Sequence, residues 1–229
     1  MSVPWLIVSP HCDDAVFACG ELLAAHPGSV VATVFAGTPR TYEPFTEWDR
    51  ACGFEPGDDV MAIRRGEDAR ALAMLNARPL WLPFLDSQYR DTPRVSAVAE
   101  ALARAIHEEE PRAIAFPLGL FHSDHVLTRE AMLALAARET LPPLLVYHDA
   151  LYRRIPGAAQ QQMAQMAQRG LELRERAQRV SAEAHALKRA AIGCYRSQLR
   201  ALATPGRPGH LDAYAPELYL DLIATVTAV

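Results

Sequence analysis

Residues 5–14 read Trp5-Leu6-Ile7-Val8-Ser9-Pro10-His11-Cys12-Asp13-Asp14, a short apolar run that ends at once in an imidazole, a thiol and two carboxylates. Residues 15–25 follow with apolar positions at Val16, Cys19, Leu22 and Leu23, the spacing of one helical face. A strand passing directly into a helix opens a βαβ unit, and the pattern continues outward from there. Ser29–Ala36 is a second, β-branched run, and further strand-like runs lie at Pro79–Pro83, Ala113–Pro117 and Leu144–Tyr147. Between them Val95, Val98, Ala99, Leu102 and Ile106, then Leu127, Ala131, Ala134 and Leu135, keep helical spacing. Alternating strands and helices predict a mostly parallel sheet covered on both faces. The expectation is a three-layer, Rossmann-like α/β fold with its site at the C-terminal ends of the strands.

Composition narrows the function classes. The 229 residues are 50% hydrophobic and 22% charged, ordinary for a soluble protein, and they are read as a single domain over 1–229. A net charge of -4 with no Lys/Arg cluster argues against a nucleic-acid partner. The opening residues have no basic start and only a short apolar run. They predict neither a signal peptide nor a membrane span, and a cytoplasmic protein. Cysteines 12, 19, 52 and 194 show no C-x-x-C spacing, so no disulfide framework or thiolate zinc site is expected. No G-x-G-x-x-G follows the first strand, which disfavours nucleotide binding. Of the 23 basic residues only Lys188 is a lysine; composition bias accounts for the arginines, and Lys188 is marked for a specific structural or pocket role.

Two stretches break the alternation. Residues 37–59 form a long Pro- and Gly-rich loop in which Tyr42, Trp48 and Phe54 make either a lid with aromatic surface or a small core of the loop itself. Residues 160–202 read as one long helix or two, docked through Leu171, Leu187, Ile192 and Leu199. An apolar helix face there could support contact between copies of the chain, so a homo-oligomer is an expected partner class.

Two clusters carry chemistry. His11 and Asp14 stand three apart where the first strand enters its helix, and His122-Ser123-Asp124-His125 repeats the design after Ala113–Pro117. In open α/β sheets ligands bind beyond the carboxyl ends of the strands, so if the two strands are neighbours the clusters face each other. Two imidazoles and one carboxylate with an open position form a hydrolytic zinc arrangement, in which the pKa of a bound water drops to ~7. A further carboxylate then serves as general base and a donor stabilises the oxyanion. Alternatively Asp14 or Asp124 is only a helix cap.

At these residues the sequence resembles the PIG-L (LmbE-like) family of metal-dependent de-N-acetylases. The family's His-Pro-Asp-Asp-Glu motif after an apolar strand reads His11-Cys12-Asp13-Asp14-Ala15 here, and its His-Pro-Asp-His motif reads His122-Ser123-Asp124-His125. The Arg–Glu pair heading a helix matches Arg64 and Glu67, and Asp86 matches a family Asp after the next strand. The late pattern matches Lys188, Ala191-Ile192 and Ser197-Gln198, so the resemblance runs from about residue 5 to 200. It implies Zn2+ on His11, Asp14 and His125, with Asp13 as general base. His122 would be the acid and oxyanion partner, kept protonated by Asp124, and Arg64 and Asp86 would bind substrate. Cys12 and Ser123 replace the motif prolines, which supply no ligand atoms, whereas Ala15 replaces a Glu whose support the loop would lack.

The expected function is hydrolysis of an N-acetyl or other N-acyl linear amide on an amino-sugar-like small molecule, an N-acylated amino sugar such as N-acetylglucosamine or a glycoconjugate. The alternatives are a non-catalytic metal- or sugar-binding member of the family, and a non-haem Fe2+ enzyme using the same two histidines and one carboxylate. Outside the resemblance, Arg64–Glu67 also reads as an exposed helix pair and Asp86 as a turn cap. His148-Asp149 follows a strand and would border the pocket.

Overall fold

A computed structural model describes residues 4–178, 180–207 and 209–224. In chain order the elements are β1 (Trp5–Ser9), α1 (Asp14–Ala25), β2 (Val30–Thr33), α2 (Glu47–Cys52), α3 (Val60–Met74), β3 (Arg78–Trp81), α4 (Val95–Glu109) and β4 (Ala113–Pro117). They continue with α5 (Ser123–Ala136), β5 (Leu144–Tyr147), α6 (Ala158–Gln168), β6 (Leu171–Arg176), α7 (Ala182–Ile192), α8 (Arg196–Leu202) and β7 (Tyr219–Ala224). The sheet order is β3-β2-β1-β4-β5-β7-β6; the first five strands are parallel, and β7 runs antiparallel to both β5 and β6. The mostly parallel three-layer α/β architecture expected from the sequence is the one found.

Alternation within β1 shows how the layers form. Trp5 and Ile7 join the apolar cluster under α1, α3 and α7, whereas Leu6 and Val8 join the one under α4 and α5. A strand buried on both faces reads as a continuous apolar run for this reason. β1 pairs with β2 on one side and β4 on the other, so the connections diverge between β1 and β4 and leave a crevice beyond their carboxyl ends.

Residues 160–202 depart from the expected helix or pair of helices. α6 ends at Gln168 and Gly170 turns the chain with φ +79. Then Leu171-Glu-Leu-Arg-Glu-Arg alternates as an edge strand before α7 and α8. Leu171 and Leu173 still dock on the core, with a strand's period of two. The long loop holds the short helix α2, begun by Thr46, whose hydroxyl accepts from Asp49 N.

Helix α1 is broken at Cys19 (φ -136, ψ 17). A broken helix strands the N–H groups of its next turn, and here Glu217 receives them: its carboxylate accepts from Glu21 N at 2.8 Å and Leu22 N at 3.2 Å. Tyr219 donates its hydroxyl to the same carboxylate, and Lys188 Nζ stands 2.8 Å from it in a buried ion pair. Gly20 makes room, because a Cβ there would lie 2.7 Å from Lys188 Cγ. The lone lysine therefore fastens α7 to the kink of α1 and to the segment entering β7, outside the cavity.

Candidate metal centre

Local chain geometry brings the first cluster to a point. The Ser9 hydroxyl donates to His11 O at 2.6 Å and accepts from Ala15 N at 3.0 Å, closing the strand-to-helix turn. Asp14 turns back to accept from His11 N at 2.9 Å. Because β4 lies beside β1, the second cluster arrives opposite. His122 caps α5, its Nδ1 accepting from Asp124 N at 3.2 Å.

The donors converge on one carboxylate oxygen. Asp14 Oδ2 lies 3.1 Å from His11 Nδ1 and 3.1 Å from His125 Nε2, and His11, Asp14 and His125 are all buried with ligand atoms within 4.8 Å of one another. Metal–donor bonds of ~2.0–2.1 Å in tetrahedral array place donors roughly 3.3 Å apart, so the spacing suits an ion. A second group, His11, His122 and Asp124, meets the same distance limit. Asp149 reaches His125 Nδ1 at 2.5 Å and is itself held by Gly119 N and Leu120 N. A carboxylate on one imidazole nitrogen fixes the other as the ligand. His125 Nε2 and Asp14 Oδ2 are then two electron-rich atoms face to face, and a proton or a cation must lie between them.

Electrostatics follow from burial among these charges. Burial opposes a charged His11, but Asp86, Asp124 and Asp14 outweigh it and raise its pKa well above the ordinary value. Burial likewise opposes charge on His125, and Asp14 with Asp149 still lifts it to about 9. Burial would raise Asp14; the two histidines instead hold it far below the usual carboxylate range. Asp13 goes the other way, pushed up to about 6 by burial and by the charge of Asp14. His122 is pressed down to about 4 by burial and by His11 and His125.

The other expected residues fall as follows. The Asp124 carboxylate is turned to His11 Nε2 at 3.0 Å and to Ser87 N at 3.0 Å, and His122 meets only its backbone N–H by hydrogen bond. Arg64 is buried, not an exposed helix residue, and donates from Nη1 to Asp86 Oδ2 at 3.2 Å. Asp86 also begins a turn, accepting from Gln88 N. Glu67 accepts from the backbone and hydroxyl of Ser197, tying α3 to α8. His11, Asp13, Asp14, Arg64, Asp86, His122 and His125 line one cavity of about 380 Å3; Asp124 reaches the site through His11.

The long loop divides its aromatic residues. Trp48 lines the cavity, donates to Gln198 Oε1 and lies under the Arg207 guanidinium at 5.2 Å. Phe54 packs with Phe45, Cys52 and Val60, and Tyr42 bonds Asp59. Tyr152 and Phe121, which no motif marked, complete the wall. Asp149 was placed at the border of the pocket by its strand-end position; its hold on His125 has no signal in sequence.

Behind the site Asp68 is fully buried, accepting from Tyr195 OH at 2.8 Å and Trp81 Nε1 at 2.7 Å. Burial pushes its carboxyl up to about 7 despite both bonds. An unfolded aspartate releases its proton near ~3.9, so between about pH 4 and pH 7 the folded state binds more protons, and stability falls as pH rises. Asp68→Asn removes this term. Relative to the parent, its unfolding free energy should improve as pH rises through that window, by up to about 1.4 kcal/mol per unit. Urea midpoints across the range measure it, and a pH-independent difference would contradict the assignment.

The family described as GlcNAc-PI de-N-acetylase (PIG-L) matches residues 6–136. No curated protein matches the chain in sequence. Among solved structures, the A40926 pseudoaglycone deacetylase Dbv21 is 27% identical with a TM-score of 0.78, over 100% of both chains. A triple mutant of a deacetylase of the teicoplanin biosynthetic pathway (Orf2*T) is 26% identical with a TM-score of 0.78, over 98% of this chain and 100% of that one. The zinc-inhibited form of teicoplanin deacetylase Orf2 is 23% identical with a TM-score of 0.79 over the same shares, a likeness of fold.

Proposed function

This chain belongs to the GlcNAc-PI de-N-acetylase (PIG-L) family, and from that premise we propose that it hydrolyses an N-acyl, foremost an N-acetyl, amide on an amino-sugar-like molecule. The observation that carries the reading is the meeting of two strand-end clusters around Asp14 Oδ2, with the uncommitted carboxylate of Asp13 in the same cavity. His11, Asp14 and His125 would hold the metal, Zn2+ in this reading and Fe2+ in the alternative. When bound, such an ion polarises the acyl carbonyl and lowers the pKa of a water toward ~7.

The chain's own groups do the rest. Asp13 takes a proton from the attacking water, and a pKa of about 6 leaves it mostly ionised at neutral pH yet basic enough to accept. His122, with Nδ1 accepting from Asp124 N and its pKa lowered, is neutral and would donate its other ring N–H to the developing oxyanion, while the proton taken up by Asp13 would be the one delivered to the departing amine. Asp124 holds His11 and positions His122 through the α5 cap. Arg64 and Asp86, paired at the cavity wall, bind polar groups of the substrate. Asp149 orients His125. The whole of 1–229 is read as one catalytic domain. Among the described residues no helix is long and apolar enough to cross a membrane.

The test is released acetate or free amine from a panel of N-acetylated amino sugars and their glycosides, before and after chelation. Hydrolysis should disappear on metal removal and return with one divalent ion; Zn2+ and Fe2+ are added separately over a range, because a neighbour of this fold is described as zinc-inhibited. Full activity in metal-free protein would sink the metal-based reading. Metal binding with no hydrolysis across the panel would favour the non-catalytic alternative, and oxygen uptake with Fe2+ the oxygenase one.

A further inference from the structure

The connection from β4 to α5 is bound at every backbone position from Leu118 to Leu120 before it reaches His122. Leu118 N donates to Tyr147 O at 2.8 Å, and Gly119 N and Leu120 N donate to the Asp149 carboxylate. On the acceptor side, Leu118 O and Gly119 O each receive Arg129 Nη1 at 3.2 Å, and Leu120 O receives His122 N at 2.6 Å. No N–H or C=O of these three residues is left over. Connections of this kind are ordinarily solvated and mobile; this one is tied down by two oppositely charged side chains.

Asp149 has a second task on His125, whereas Arg129 does not line the cavity. It is nonetheless buried, and burying a guanidinium is costly unless its donors are satisfied. Its place follows from the helix: Arg129 stands four residues after His125, one turn further along the same face of α5. From there Nη1 reaches back to both carbonyls, while Nε and Nη2 meet Glu130 Oε1 at 3.1 and 2.7 Å. Gly119, at φ +78, leaves room for it, since a Cβ there would lie 2.9 Å from Nη1. Phe121 comes next, a non-glycine residue at φ +61, and strain of that kind persists where the surroundings impose it. His122 follows at once.

We propose that Arg129 is a positioning residue: by holding the carbonyls of Leu118 and Gly119 it fixes where the His122 ring stands in the cavity. The ring is bonded by its own helix, Nδ1 accepting from Asp124 N at 3.2 Å, and the loop behind it sets how far it reaches inward. A donor stabilises a developing oxyanion only at about 2.7–3.1 Å, and a misplacement of about 1 Å costs on the order of 10^2 in rate. The effect on rate rests on the deacetylase reading; the hold on the loop does not.

Metal-loaded parent, Arg129→Gln, Arg129→Lys, His122→Ala and the double variant of His122→Ala with Arg129→Gln are compared by acetate release and by backbone amide exchange. Arg129→Gln should lose about 10^2-fold in kcat, with KM and metal content unchanged. In the His122→Ala background the same substitution should cost less than about twofold, because residues acting through one another are not additive. Arg129→Lys keeps the cation but has one nitrogen for carbonyls and carboxylate alike, so it should fold as the parent does and fall between the two in kcat. Exchange reads the loop without any turnover. The amides of Gly119, Leu120 and Asp124 should exchange at least about tenfold faster in Arg129→Gln, with those of β1, β4 and the middle of α5 unchanged. An equal loss of kcat with or without His122, or faster exchange throughout the molecule, would make Arg129 a packing residue and overturn the proposal. So would parent-like exchange at Asp124. A parent that hydrolyses nothing fails the deacetylase reading alone, and the exchange pattern still decides whether Arg129 holds His122.

Discussion

Asp13→Asn is expected to retain the parent's full complement of metal and to lose about 10^2- to 10^4-fold in turnover, the contribution of a positioned general base. The separation between binding and turnover is the informative part. Asp13 is adjacent in sequence to Asp14 but outside the group whose donor atoms gather within 4.8 Å, so neutralising it removes a proton acceptor and no ligand. His125→Ala should behave in the opposite way and lose the ion itself, because it deletes a donor and strands Asp149 beneath it. Elemental analysis beside acetate release distinguishes the two. Parent-like turnover by Asp13→Asn would remove Asp13 from the mechanism and move the search for the base to Asp86 or Asp124.

Lys188→Met should cost about 3–5 kcal/mol of unfolding free energy, the usual penalty for leaving one member of a buried pair without the other. Lys188 and Glu217 are both almost completely buried as side chains. Burial already raises the Glu217 carboxyl above its ordinary range, with Lys188 opposing the rise. Without the lysine that carboxyl is more easily protonated, so the deficit should shrink as pH falls. Adding Glu217→Gln should recover more than half of it, since a neutral amide oxygen still accepts from the kinked turn of α1. Denaturant unfolding of the two variants checks this. A loss below about 1 kcal/mol for Lys188→Met would mean that packing of the stem, and not the charge, is what matters there.

These two cases mark what could and could not be read in the sequence. The His11–Asp14 and His122–His125 clusters were legible because both signals are local: a spacing of three, placed where a strand-like run meets a helical one. Their meeting depended only on β1 and β4 being neighbours, which is how the sheet is ordered. Arg64 was ambiguous because its partner, Asp86, lies 22 residues on. β6 was absorbed into a helix since Arg- and Gln-rich flanks mask its alternation of Leu with charged residues. The role of Glu217 had no local signature, because the backbone N–H it receives, that of Glu21, lies 196 residues earlier.

That last contact has a consequence for the order in which the molecule can assemble. In synthesis β1 and α1 emerge well before the segment 217–224, yet this segment closes the kinked turn and slots between β5 and β6. Until it emerges, β5 presents an open edge and β6 has no neighbour in the sheet, surfaces that invite wrong pairing. The parallel half, with both histidine clusters, can take shape early in synthesis. The kinked turn of the helix that begins at Asp14 receives its Glu217 acceptor only when this later segment has been made.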